Sequence, residues 1–326
     1  MKRNKQQTRK KERMRVKFID YGSSEWIRHE LKTNGYVLVP NVLTQQEVTE
    51  YKADFHHLME KNQHMCELHP RIGVHGIFKF GPFAQSLMRS KIVTNDKVVG
   101  LFESLYGTRN LVTSQDGCAY IPSDADAKTK SVWTHVDQAP SSYETVNEAD
   151  MTREKEYENG KKCVQGFVAL TTNEERTFRV YPKSHVETRK WFLRSGKTGT
   201  KNWHKLEREE LEGKEYKDLH VPAGSAVLWD SRSWHQNTNS AVGEERLVVY
   251  VCMLPRENPL NTAKQAEKRL KYFETKRMTS HWPYTVHVNG EQPQTYGDET
   301  MLIDYERVVY DELPKELEEK YLALLR

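Results

Sequence analysis

The chain has 326 residues, enough for one large core or two smaller ones, and at 37% hydrophobic and 29% charged it reads as soluble and rather polar. No apolar run approaches the roughly 20 residues a bilayer span needs, and no apolar stretch follows the basic start as a secretory leader requires. The net charge of +4 is uneven: residues 1–17 hold nine Lys or Arg and one Glu, or +8, so the rest carries −4. Residues 1–17 are therefore expected to be a disordered, solvated tail. A second reading has them touch nucleic acid, an anionic surface or an import receptor. The four cysteines, Cys66, Cys118, Cys163 and Cys252, form no CxxC pair. This speaks against a zinc ribbon or a disulfide framework and for a reducing compartment. The cytoplasm is the expected location, with the nucleus as the alternative that the basic start allows.

In chain order, a short helix is predicted over Ser24 to Thr33, ending near Asn34-Gly35, followed by a brief strand over Tyr36 to Pro40. Thr44 with Glu47 has the spacing of a capping box. The helix it opens carries Val48, Tyr51, Phe55, Leu58 and Met59 at helical intervals. Cys66 to Pro82 reads as loop with a short strand. Asn95 to Tyr106 reads as a helix closed by Gly107. From Leu111 the texture changes to short apolar runs between turn residues. Strands are expected at 111–114, 118–121, 132–136, 164–170, 178–181, 219–221, 226–229 and 246–254. This pattern suggests a sandwich or jelly roll. Residues 143–162 and 198–217 are polar insertions, the second partly helical. Helices return at 261–277 and 314–325.

Within the β region, His135 and Asp137 lie two apart, so on a strand they point to one face. His235 would come from another strand. Two imidazoles and one carboxylate occupy one face of an iron(II) ion and leave positions open for oxygen and an organic ligand. Arg246, on a later strand, could grip a carboxylate with its planar fork. Together these residues suggest an iron- and 2-oxoglutarate-dependent oxygenase. His185 with Glu187 is a rival HxE pair, but it leaves a tight turn, which presents ligands less rigidly than a strand. Without metal spacing, His56, His57, His64 and His204 default to surface or packing roles. No HExxH, GxSxG, P-loop or GxGxxG pattern is present.

From Gly35 to Pro255 the sequence resembles the phytanoyl-CoA dioxygenase family of iron(II)/2-oxoglutarate oxygenases. The resemblance is carried by GYVLVPNVLTQQEV, WTHVDQ, VQGFVALTTNEERTFRVYPKSH and VPAGSAVLWDSRSWHQN, with Arg246 at the family's carboxylate-binding position. The turn reads PKSH where glycine is usual, so a different backbone is expected there. The resemblance implies a mainly β, cupin-like double-stranded β-helix (jelly roll) with flanking helices. His135, Asp137 and His235 would hold Fe(II), and 2-oxoglutarate and O2 would be cosubstrates. Arg246 would bind the far carboxylate, with Gln165, Tyr120 and Asn237 as further cosubstrate contacts. Asp137 favours hydroxylation, because related halogenases replace that carboxylate.

The expected division is a tail (1–17), an oxygenase domain with N-terminal helices (18–255) and a C-terminal helical extension packed on it (256–326). Residues 143–162 are the candidate lid, and Trp133, Phe167 and Trp234 are candidate pocket walls. The leading expectation is hydroxylation of a small molecule or acyl conjugate with release of succinate and CO2. A protein or nucleic-acid hydroxylase recruited by the tail, and a non-catalytic cupin-like metal binder, are the alternatives.

Overall fold

The structure is a computed structural model, and it describes residues 23–125, 132–144, 163–238, 243–288 and 290–326. The basic tail and nearly all of the candidate lid lie outside the described residues.

A helical layer leads into the sheets. Helix α1 (Ser24–Asn34) ends on Gly35 in the left-handed conformation and passes directly into β1 (Tyr36–Val39). Helix α2 (Gln45–Lys61) starts with the expected capping box, in which Thr44 and Glu47 satisfy each other's backbone N–H groups. Cys66 to Pro82 departs from expectation, because its first part is helix α3 (Gln63–Ile72). Pro70 and Gly73 point to a loop, yet burial of Met65 and His69, four residues apart on one face, outweighs the one hydrogen bond that Pro70 forfeits. Helix α4 (Leu87–Val93), absent from the expectation, begins on the Ser86 cap. Helix α5 (Asp96–Tyr106) runs from the Asn95 cap to left-handed Gly107 as expected.

The β region holds β2 (Leu111–Thr113), β3 (Cys118–Ile121), β4 (His135–Val136), the single turn α6 (Ser141–Glu144), β5 (Val164–Ala169) and β6 (Phe178–Val180). Helix α7 (Ser184–Ser195) and the edge strands β7 (His204–Lys205) and β8 (Lys217–Asp218) follow. Then come β9 (Ala226–Asp230), β10 (His235–Asn237), β11 (Arg246–Val251) and β12 (Met253–Pro255). All ladders are antiparallel. The large sheet runs β1-β9-β5-β11-β3 and the small sheet β7-β4-β10-β6-β8, with β12 and β2 as a separate pair. These facing sheets make a double-stranded β-helix. The expected strand at 219–221 shifts to β8. Leu219 and Val221 supply the buried apolar signal, while the ladder with β6 falls on exposed Lys217 and Asp218. The 198–217 insertion is likewise two edge strands and a 3-10 turn (Glu209–Leu211) rather than a longer helix.

Alternation along each strand sorts the core into layers. Val164, Val168, Leu228, Leu247 and Val249 face the helices, where Phe55, Met88, Ile92 and Phe102 cover them. Phe167, Ala169, Val227, Trp229 and Val248 face the small sheet and meet Phe178 and Val180. Behind the small sheet, Val136, Trp234 and Leu206 are covered by Trp191 and Phe192 of α7. After β12, α8 (Ala263–Glu274) and α9 (Lys315–Ala323) return to the body: the Tyr321 hydroxyl donates to the Ala84 carbonyl, and Arg269 Nε donates to the Leu325 carbonyl at 2.8 Å. No helix among the described residues is long and apolar enough to cross a membrane.

The PKSH turn keeps the glycine backbone after all. Lys183 has φ +66°, and its N–H donates to the Asn34 carbonyl at 2.9 Å, fixing α1 against the start of α7. A left-handed lysine costs roughly 1–2 kcal/mol, and glycine removes that cost at an entropic penalty of roughly 0.5–1 kcal/mol. Lys183→Gly is therefore expected to hold stability or raise it by up to about 1 kcal/mol in urea unfolding, whereas Lys183→Val lowers it.

Candidate metal and cosubstrate site

His135 and His235 face each other directly in the β4–β10 ladder. Their rings lie 4.3 Å apart on the inner side of the small sheet. Asp137 stands one residue beyond β4, where its N–H donates to the Ser231 carbonyl at 3.1 Å. The extended backbone keeps it on the face of His135. Asp137 Oδ2 lies 3.6 Å from His135 Nε2 and 3.3 Å from His235 Nε2. One donor atom from each of the three lies within 4.8 Å of the others. All three side chains are buried.

Both histidines are oriented alike. His135 Nδ1 bonds the Trp133 carbonyl at 3.2 Å, and His235 Nδ1 bonds the Ser233 carbonyl at 2.9 Å. A carbonyl only accepts, so Nδ1 carries the proton in each ring and Nε2 keeps a lone pair aimed at the common centre. Burial and neighbouring His135 hold the His235 pKa below its ordinary value, which keeps that ring neutral and able to ligate. For Asp137, burial pulls upward. It is outweighed by the neighbouring imidazoles, His135 and His281 foremost, so the carboxyl stays well below its usual range. Ligands of an octahedral ion with bonds of about 2.1 Å stand about 3 Å apart. The donor set and its spacing therefore fit a divalent ion such as iron(II).

Arg246 is fully buried on the inner face of β11. Its Nη2 donates to Asn237 Oδ1 at 3.0 Å, and Asn237 Nδ2 donates to the Tyr250 hydroxyl at 3.3 Å. Arg246 Nε and Nη1 have no partner among the described residues, and no described carboxylate pairs with it. A buried guanidinium stays charged, so two orphan donors there fit an anion. Gln165 is buried, and both its amide atoms lack partners among the described residues. It lies opposite Trp229, whose ring is 5.2 Å from His235. From His235 to Asn237 the strand rises about 7 Å, so Asn237 holds Arg246 one step along β10 from the triad.

The structure therefore gathers His135, Asp137, His235, Arg246, Gln165 and Asn237 in one interior. Tyr120 does not join them. On β3 it alternates to the helix side, where its ring packs 4.8 Å from Phe55 and 6.0 Å from His56. Tyr250 is the tyrosine at the site, and strand period could have found it, because it lies four residues after Arg246 on the same face. Phe167 faces the interior 5.8 Å from Arg246, and Trp133 stacks on His135 at 4.8 Å. Trp234 instead faces α7, donating to Thr188 Oγ1 at 2.8 Å, and is no wall of this site. The surface pocket lined by Trp191, Arg194, Glu210, Lys214 and Trp234 also lies on that far side. The rival HxE pair is separate: His185 bonds the Lys32 carbonyl at 3.1 Å, and Glu187 pairs with Lys214 at 2.6 Å. No residue pattern points to His281, a loop residue beside Asp137 whose buried Nε2 has no partner among the described residues.

Comparison with known proteins places these features in context. The profile of the Phytanoyl-CoA dioxygenase (PhyH) family matches residues 31–241. The Ava biosynthesis cluster protein O of Aspergillus versicolor is 24% identical over 233 residues, 64% of this chain and 68% of that protein. The crystal structure of GlcNAc Inducible Gene 2, GIG2 (DUF1479), from Candida albicans shares the fold with a TM-score of 0.56 at 14% identity, covering 94% of this chain and 81% of that one. The epimerase SnoN, solved with Fe3+, alpha ketoglutarate and nogalamycin RO, aligns with a TM-score of 0.46 at 19% identity, covering 72% of this chain and 84% of that one.

The geometry sets a direct test with a redox-silent ion. In calorimetric titrations with cobalt(II), His235→Ala and Asp137→Asn are each expected to weaken binding by more than roughly 100-fold. Glu187→Gln should leave it unchanged.

Proposed function

Since the chain belongs to the phytanoyl-CoA dioxygenase family, we propose that its buried interior holds iron(II) on His135, Asp137 and His235 and anchors 2-oxoglutarate on Arg246. The protein is an iron(II)- and 2-oxoglutarate-dependent oxygenase. Bound together, iron(II), 2-oxoglutarate and dioxygen supply the oxidising chemistry, with succinate and CO2 as coproducts. The observation that carries the assignment is the two histidine Nε2 atoms and the Asp137 carboxylate converging in the same interior as a buried guanidinium, two of whose nitrogens have no partner among the described residues.

Each protein group has a task within this reading. The Trp133 and Ser233 carbonyls fix the two imidazoles in the ligating tautomer. Asp137 stays ionised, so the site carries one negative charge toward a divalent ion. Arg246 meets the far carboxylate with its free N–H groups, while Asn237 and Tyr250 hold the guanidinium in place. Phe167, Phe178 and Trp229 keep water from the space between, which strengthens the ion pair. Gln165, at the metal end, serves the keto-acid end of the cosubstrate or the substrate. The substrate class we favour is a small molecule or acyl conjugate, because the triad is buried between two sheets.

Removing one partner of a buried charge pair costs about 3 kcal/mol, roughly 100-fold. Arg246→Met is therefore expected to raise the KM for 2-oxoglutarate about 100-fold in a succinate-release assay while cobalt(II) affinity stays within a few-fold of wild type. Equal losses of metal and cosubstrate binding would count against a separate anchor.

A further inference from the structure

The small sheet ends in β7, and its pairing with β4 sets Lys205 opposite His135 and His204 opposite Val136. Opposed residues of an antiparallel pair share a face. His204 accordingly lies behind the sheet, its ring 5.3 Å from Phe192. Lys205, and Trp203 two residues before it, stand on the face of the triad. The Trp203 ring lies 5.6 Å from that of His135 with the planes 30° apart, yet Trp203 is 40% exposed. Lys201 Nζ sits 5.6 Å from the centre of the Trp203 ring. Lys201 and Lys205 are exposed. Neither forms an ion pair with a described residue. Residues 188–206 contain six Lys or Arg and no Asp or Glu, whereas residues 207–215 contain five Glu. Of those six, Arg189, Lys190 and Arg194 lie on α7 behind the sheet, whereas Lys201 and Lys205 flank Trp203 in the segment that pairs with the His135 strand.

An exposed indole laid beside a buried metal-ligating imidazole is a flat, apolar shelf at the mouth of the site. Its flanking ammonium groups supply point charges for an oxyanion. We propose that Trp203, Lys201 and Lys205 form the substrate-recognition rim, and that the substrate is a planar conjugated ring system bearing an anionic group, a carboxylate or a phosphate. The ring lies on Trp203 and the oxyanion on the two lysines, which brings the substituents of the ring over the triad. This deepens the oxygenase reading and rests on it for the position of the reacting centre.

The test uses the full chain with manganese(II) and 2-oxoglutarate under nitrogen, where no turnover occurs. Binding of 2-naphthoate, 2-naphthyl phosphate, the neutral 2-naphthalenemethanol and the ringless cyclohexanecarboxylate is measured by calorimetry. Wild type is expected to bind one or both naphthyl anions at least tenfold more tightly than either control, and the better of the two tells carboxylate from phosphate. Trp203→Ala should weaken that anion about tenfold and Trp203→Phe less than threefold. Lys201→Ala/Lys205→Ala should weaken the anion but not the alcohol. Failure of both naphthyl anions to bind wild type, equal affinity in wild type and Trp203→Ala, or binding of both controls as tight as that of the anions overturns the proposal. Manganese affinity on the same samples separates this from the iron assignment. It should be unchanged in Trp203→Ala and lost in His235→Ala, and its survival in His235→Ala would sink the iron assignment while leaving the ring-binding result to be read independently.

Discussion

Residues that face one another across an antiparallel ladder stand about 4.5–5.5 Å apart with their side chains on one side, and here two such residues are His135 and His235. What holds that register is the other face of the same strands. Val136 and Trp234 alternate outward and are buried beneath Trp191 and Phe192 of α7. A one-residue slip of either strand would carry an imidazole under α7 and bring an apolar side chain into the site. Burial of a large apolar side chain contributes roughly 1.5–3 kcal/mol, so the packing behind the sheet fixes the ligand geometry before any metal arrives. The apolar residues of WTHVDQ and SRSWHQN thus serve the polar ones.

The interior between the sheets is expensive for a protein to maintain. Arg246 is a buried cation, and Gln165, Trp229 Nε1 and two Arg246 nitrogens lack partners among the described residues. Each unmade buried bond costs about 1–3 kcal/mol. The groups that are satisfied follow a rule: their bonds orient a neighbour rather than use up its outward valence. The carbonyls of Trp133 and Ser233 take the Nδ1 protons and leave Nε2, and Asn237 takes one Arg246 nitrogen and leaves two. Unsatisfied valence collected in one interior, with its supporting bonds complete, is the arrangement of a preorganised ligand site.

Much of this is legible in the sequence where period and end signals agree. The Thr44 capping box, the Gly107 cap and the five apolar positions of α2 mark helices whose local and tertiary demands coincide. His135 and Asp137 share a face as their spacing implies, because two residues two apart on extended backbone do so whether or not the ladder reaches Asp137. The failures occur where one signal overrides another. Pro70 and Gly73 suggest a loop although a buried face makes α3, and the ladder of β8 lies on Lys217 and Asp218, which carry no strand signal. Strand period alone does not place Tyr120 and Trp234, because their facing depends on which alternate set looks inward. Arg246 settles that for β11 and, through it, for Tyr250. No pattern could place His281, since a loop residue reaches Asp137 only through the path of the whole C-terminal segment.

The two kinds of strand carry different information. β4, β10 and β11 are paired on both sides, so their residues are constrained by ladders, by the core behind them and by each other. A change there disturbs packing as well as chemistry. Among the described residues, β7 has a neighbour on one side only, and it belongs to a polar insertion. Its solvent-facing residues can vary without disturbing the register of His135 and His235, because Leu206, at the end of β7, holds the inward-packed position behind the sheet. The oxidising chemistry is therefore written in buried alternation, which a sequence displays. Selection of substrate falls to exposed positions such as Trp203, whose role becomes visible only once the ladder shows which imidazole lies beside it.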